Sequence, residues 1–254
     1  MIVLLAPSEG KTTPRQEAPP VDLDALAFLE LTARREALVT RLERLAAGPR
    51  RKALSALGLS EAQASELDRD RDLLSAPAAP AGEVYTGVLY QHLDLPSLPA
   101  AAARRAAERL YVASALWGVV SIADRIPAYR LSMGATLPRI PNLARWWRPA
   151  LASALPDDAF VVDLRSAAYA AAWRPARGTV VEVKASSDAG GLPRPISHMA
   201  KAVRGEVARL LVVERREPAS PEEVAELVAA AGERVELRSP SKAGSTWTLE
   251  IVRG

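Results

Sequence analysis

The stretch Phe160-Val161-Val162-Asp163-Leu164-Arg165-Ser166-Ala167-Ala168-Tyr169 sets the fold class. Its first five residues read as a short buried strand, Asp163 sits near the strand's carboxyl end, and Ser166 leads into a helix. Working outward, Ile2 to Ala6 is a second apolar run of the same length, and four prolines at 7, 14, 19 and 20 then hold the chain extended. Tyr111 to Ala115, Tyr129 to Ser132 and 179–184 also read as strands, and 234–238 with 246–252 as a terminal pair. Helical spacing covers 22–47, 50–57, 61–73, 86–93, 97–108, 142–154, 197–213 and 221–231. Ser-Ala-Pro-Ala-Ala-Pro-Ala-Gly at 75–82 reads as a linker. This order lacks a regular strand–helix–strand beat, so the expected class is α/β (mixed α+β), with a mixed sheet flanked by helices in a single domain over 1–254.

The composition narrows the chemistry. With 49% hydrophobic residues in 254, the chain can bury a sizeable core. The absence of cysteine excludes disulfides, thiol chemistry and thiolate-held metals. Two histidines, His92 and His198, exclude a multi-histidine centre. No metal and no cofactor is expected. The amino terminus is apolar but short, without a basic lead, and nothing approaches 18 continuous apolar residues. A cytoplasmic protein with no membrane span is expected. Net charge is only +3, so clustering of the basic residues, nearly all arginine, decides what they bind.

Several constellations carry possible chemistry. Pro7-Ser8-Glu9-Gly10-Lys11-Thr12 follows the first strand. A phosphate loop would need glycine at position 5, which is Leu5, and a following helix, which Pro14, Pro19 and Pro20 forbid. The loop reads either as a surface turn or as an anion site built from Ser8, Lys11 and backbone N–H groups. On the helix over 197–213, Ser197 stands at the cap. His198, Lys201 and Arg204 share one side, and Gly205 leaves room for a close neighbour. Arg130 has the planar fork for a phosphate or carboxylate, or for pairing with Asp163. Tyr85 precedes a helix capped by Thr86 and reads as a core aromatic or a ligand contact. Seven basic residues fall within 34–52, among them Arg50, Arg51 and Lys52, and lead into a helical hairpin over about 34–74 with Gly58 at its turn.

Taken in order, these strings resemble the YaaA family of bacterial peroxide-stress proteins, the UPF0246 group, in its actinobacterial-type branch. The resemblance runs through Pro7–Thr12, Val84-Tyr85-Thr86-Gly87, Ser114-Ala115-Leu116-Trp117-Gly118 and 127–134. It continues through Asp163-Leu164-Arg165-Ser166, Ile196-Ser197-His198-Met199-Ala200-Lys201 and Arg204-Gly205. It implies a helix-hairpin-helix element over roughly 50–73, a basic cleft, DNA as ligand, and a role in limiting iron-driven DNA damage under peroxide stress. In this chain, residues 61–72 hold five acids against two arginines, and like charge opposes DNA phosphates.

Two functions follow as expectations. One is sequence-independent DNA binding by Arg50, Arg51, Lys52 and Gly58 together with Lys201 and Arg204. The other is an enzyme for a small anionic or nucleotide-like substrate. Ser8, Lys11, Tyr85, Arg130, Ser197, Lys201 and Arg204 would bind that substrate, and Asp163 or His198 would move a proton. Convergence of these distant residues in a narrow cavity would favour the second.

Overall fold

A computed structural model describes residues 1–140, 142–187, 194–195, 197–242 and 246–253, with backbone alone at 194–195 and 197–198. Ten strands are present among them: β1 Ile2–Leu5, β2 Ala79–Pro80, β3 Leu110–Ser114, β4 Gly118–Ser121, β5 Arg125–Ile126, β6 Val161–Leu164, β7 Val180–Ser187, β8 Arg194–Pro195, β9 Arg234–Arg238 and β10 Trp247–Arg253. The helices run α1 Thr32–Ala46, α2 Arg50–Leu57, α3 Glu66–Arg69, α4 Ala81–Val84, α5 Val88–Leu93, α6 Ala100–Arg109, α7 Leu143–Ala154, α8 Ala167–Ala170, α9 Ser197–Val213 and α10 Pro221–Ala230.

The main sheet has the order β4-β3-β1-β6-β7-β10-β9, with β8 pairing β7 off that path. β3, β1, β6, β7 and β10 are mutually parallel neighbours, while β4 and β9 close the two edges antiparallel. The expected mixed sheet flanked by helices is therefore what forms. The central strands are buried on both faces, which explains their continuous apolar runs: β6 is buried throughout, and β1 from Val3 onward. The edge strand β9 alternates exposed and half-buried residues. α9 packs on β7 and against α5, α6 and α10; α7 packs on β4.

The structure departs from the sequence reading in several places. The helical pattern over 22–47 opens as two 3-10 turns, and the α-helix begins only at Thr32. Tyr129 to Ser132 joins no sheet among the described residues, and the Arg130 N–H donates to the Asp70 carboxylate instead of a strand neighbour. The supposed linker over 75–82 is packed: Ala78 and Ala81 are fully buried, and β2 pairs β5. Finally, β4 was not read from the sequence, although Gly118, which opens it at φ +75°, is a hairpin glycine. Its hairpin from β3 is made of Ala115, Leu116 and Trp117, and the Ser114 hydroxyl accepts the N–H groups of Leu116 and Trp117.

Candidate anion-binding site

The chain leaves β1 toward β3 on one side of it, while β6 lies on the other side and leads on to β7. The loops after β1 and β6 therefore part in opposite directions at the carboxyl ends of parallel strands. That divergence opens a crevice, the usual ligand position in such sheets. A pocket of about 430 Å³ lies there. The loop after β1 contributes Ser8, Glu9, Gly10 and Lys11, and the segment after β5 contributes Arg130 and Ser132. Ser166 and Tyr169 line it from beyond β6, Thr86 and Gly87 from the start of α5, and Lys201 and Arg204 from α9.

Local bonding fixes the pocket's walls. Lys11 forms a β-bridge with Tyr85, and the Thr12 N–H donates to the Val84 carbonyl, so the β1 loop is tied to the α4–α5 corner. The Ser8 hydroxyl accepts the Thr86 N–H and donates to the Gly10 carbonyl. Arg130 reaches Glu9 at 3.0 Å, an acid on the rim whose side chain is 78% exposed. Arg204 donates to the Val183 carbonyl, and burial holds its guanidinium below the ordinary value. The Tyr169 hydroxyl accepts the Met133 N–H, and burial pushes it up to about 12.

Lys11 is only 7% exposed. Its Nζ donates to the Ser8 carbonyl at 2.9 Å and more weakly to that of Glu9 at 3.5 Å. No carboxylate bonds to it among the described residues. Burial, followed by the repulsion of Arg130, lowers the amine to about 7. Asp70 lies close enough to pull the other way, but its own burial raises it to about 7. The Tyr129 ring centroid lies 4.2 Å from Nζ and, at so buried a site, favours the ammonium by about 2 kcal/mol, partly offsetting the effect of burial.

Of the residues expected to bind a substrate, Ser8, Lys11, Arg130, Lys201 and Arg204 line this one pocket. Tyr85 does not. Its hydroxyl is buried against that of Tyr129 at 2.8 Å, which in turn meets Ser114 at 2.7 Å, and burial drives it well above its ordinary value. Asp163 is also buried. Both its oxygens are held by the Arg165 guanidinium at 2.7 and 2.8 Å, so it pairs with Arg165 rather than Arg130 and is absent from the pocket wall. The side chains of Ser197 and His198 fall outside the described residues. Sequence reasoning did not place Ser132, Thr86 or Tyr169 in the site. It read Ser166 only as the residue leading into a helix, yet the exposed Ser166 makes no side-chain cap bond and lines the pocket. The strand end followed by serine was the only available signal. Among the described residues, no group of three His, Cys, Asp or Glu is arranged to hold a metal ion.

A family model described as peroxide stress protein YaaA matches residues 1–232. The chain belongs to the YaaA family. It is 46% identical to a UPF0246 protein of Streptomyces coelicolor over 99% of this chain and 98% of that one. Identity is 38% to a UPF0246 protein of Corynebacterium efficiens and 36% to one of Corynebacterium glutamicum, each over 99% of this chain and all of the relative. The YaaA match spans every pocket residue. It also spans the helical hairpin, whose geometry differs from a pair of full helices. After α2, Gly58 takes a left-handed conformation, and a 3-10 turn and the single-turn α3 follow. The turn's N–H groups are already used: Gly58 donates to the Ser55 carbonyl, Leu59 to that of Leu54, and Ser60 to the Gln63 side chain. Arg50 pairs with Glu61 at 2.7 Å, whereas Arg51 and Lys52 are exposed. Arg35, counted with the basic cluster, is fully buried and donates to the Trp117, Ala27 and Val119 carbonyls. Among the described residues, no helix is long and apolar enough to cross a membrane.

Proposed function

We propose that this YaaA-family chain binds and acts on a small anionic, nucleotide-like substrate in the β1–β6 crevice. One observation carries the reading: Lys11, Arg130, Lys201 and Arg204 come from three distant segments and meet in a single pocket of about 430 Å³. That volume suits a small phosphorylated or carboxylated molecule and is far too small for a duplex. Arg130 offers a planar fork to an oxyanion, and the lysines add point charges. Calorimetric titration with inorganic phosphate and a nucleoside monophosphate tests it. Arg130→Gln and Lys201→Gln are each expected to weaken binding about tenfold or more. Equal heats from wild type and both variants would reject the site.

A second reading is supported by a separate groove. Arg41, Arg44, Lys52 and Arg139 line a shallow depression of about 410 Å³, with no carboxylate in its wall among the described residues. An uncompensated basic groove on α1 and α2 suits DNA phosphates. Binding there would shield DNA from iron-driven damage during peroxide stress. Salt titration on a fluorescent duplex tests this reading. Each lost phosphate contact in Arg41→Ala, Lys52→Ala or Arg51→Ala should flatten the log–log slope by about 0.9. Salt-insensitive binding, or identical slopes, would remove DNA from this face.

A further inference from the structure

We propose that Lys11 is the nucleophile of the crevice, condensing through Nζ with the carbonyl carbon of an anionic aldehyde or ketone to form an imine. This rests on the reading of the crevice as an anion site. In the step, the Nζ lone pair forms a C–N bond as the carbonyl π electrons move to oxygen, which takes a proton. The resulting carbinolamine then expels water as the C–O bond breaks, leaving an imine and needing no oxidant or reductant.

Three observations support this assignment. First, among the described residues the hydrogen-bond acceptors of Nζ are the two backbone carbonyls of Ser8 and Glu9. A neutral amine has two N–H groups and one lone pair, so two acceptors leave that lone pair uncommitted. Second, Lys11 is one of the residues lining the pocket, yet it is almost wholly removed from water. Burial beside a guanidinium favours the unprotonated form, the state in which a lysine is a nucleophile. Third, Arg130, Lys201 and Arg204 share the same wall, so an oxyanion held by them brings the rest of its molecule to Lys11. Asp70 steadies this arrangement from behind by accepting the Arg130 N–H at 2.8 Å.

The chain has five lysines, Lys11, Lys52, Lys184, Lys201 and Lys242, so labelling is readily mapped. The full chain is treated with pyridoxal 5′-phosphate as an anionic aldehyde, or with pyridoxal as its uncharged counterpart. Each mixture is then reduced with cyanoborohydride and read by peptide mass spectrometry. At pH 7 a lysine of ordinary pKa is only about four parts in ten thousand neutral, so Lys11 should be labelled at least about tenfold faster than the other four. Inorganic phosphate should protect it, and pyridoxal should react more slowly. In wild type the labelling rate should rise through about pH 7. In Arg130→Gln that midpoint should move upward, a change that a purely structural role for Arg130 would not produce. Even labelling of all five lysines, or a Lys11 midpoint near that of an ordinary lysine, overturns the proposal. If phosphate binds by calorimetry while Lys11 stays unlabelled, the nucleophile falls and the anion site stands. If both aldehydes label Lys11 alike and phosphate neither binds nor protects, the proposal falls together with the anion reading.

Discussion

Asp70 is fully buried, with one oxygen on the Arg130 N–H and no hydrogen-bond partner for the other among the described residues. Burial raises its carboxyl to about 7, against 3.8 in the unfolded chain. Between those values the folded state keeps a proton that the unfolded chain has lost, so this group's contribution is present below about pH 4 and lost as pH rises through 7. Asp70→Asn retains an acceptor for Arg130 and removes the titration. Its thermal stability should therefore gain on wild type as pH rises from 4 to 7, by at most about 4 kcal/mol, in melts across that range. Lys11 runs the other way. Lowered from 10.5 to about 7, it costs stability below 7 and recovers it as pH climbs toward 10.5. Glu9 differs from both because it is exposed, and its pair with Arg130 contributes little to folding. It does compete with any anion for the Arg130 fork. Glu9→Gln should thus tighten phosphate binding about threefold while leaving the melting point almost unchanged, as calorimetry and thermal melts would show. At this scale the sequence disclosed which side chains were cationic. It did not disclose that Tyr85 and Tyr129 enclose Lys11, because that contact joins segments far apart in the chain, or that Arg165, two residues on from Asp163, folds back and takes both its oxygens, because the spacing alone does not fix which way that side chain turns.

Among the elements, α9 was legible to the residue, from Ser197 to Val213, because its apolar spacing is long and unbroken. Gly205 was read as leaving room for a close neighbour, and that neighbour is the backbone of α5. A Cβ there would lie 2.2 Å from the Leu89 carbonyl oxygen and 3.0 Å from the Leu93 N. Gly205→Ala should therefore destabilise the fold by about 2 kcal/mol or more in urea, despite alanine's better helix propensity. It should also weaken anion binding, since Lys201 and Arg204 ride on the same helix. Gly58→Ala is the contrasting case. Nothing lies within 4 Å of its added methyl, but its φ of +66° is left-handed, so the loss should be about 1 kcal/mol with anion affinity unmoved. The short elements were not legible. β2, β5 and α4 are too brief to show a period, and their existence depends on pairing between residues 79–80 and 125–126.

For the molecule as a whole, the class of the fold follows from apolar runs too continuous for half-exposed strands, but the strand order does not. Nothing local to Ile2–Leu5 says that β3 and β6 will flank it, and that placement creates the crevice. The pocket therefore depends on tertiary pairing that no single motif encodes, although five of its charged or polar side chains were already suspects. A site assembled from the carboxyl ends of β1 and β6 and from α9 couples ligand binding to the integrity of the whole sheet. A ligand that binds only the folded state at about 100 times its dissociation constant adds about 2.7 kcal/mol. For a domain of this size, that is a rise of roughly 5–10 °C in melting temperature. Saturating phosphate should produce such a rise over chloride at matched ionic strength. Arg130→Gln/Lys201→Gln should abolish it, and Arg41→Ala/Arg44→Ala in the separate basic groove should keep it. Equal increments in all three proteins would mean that phosphate acts as a general salt rather than as an occupant of the crevice. Loss in the groove variant alone would move the anion site to α1 and α2, and with it the balance between a small substrate and DNA.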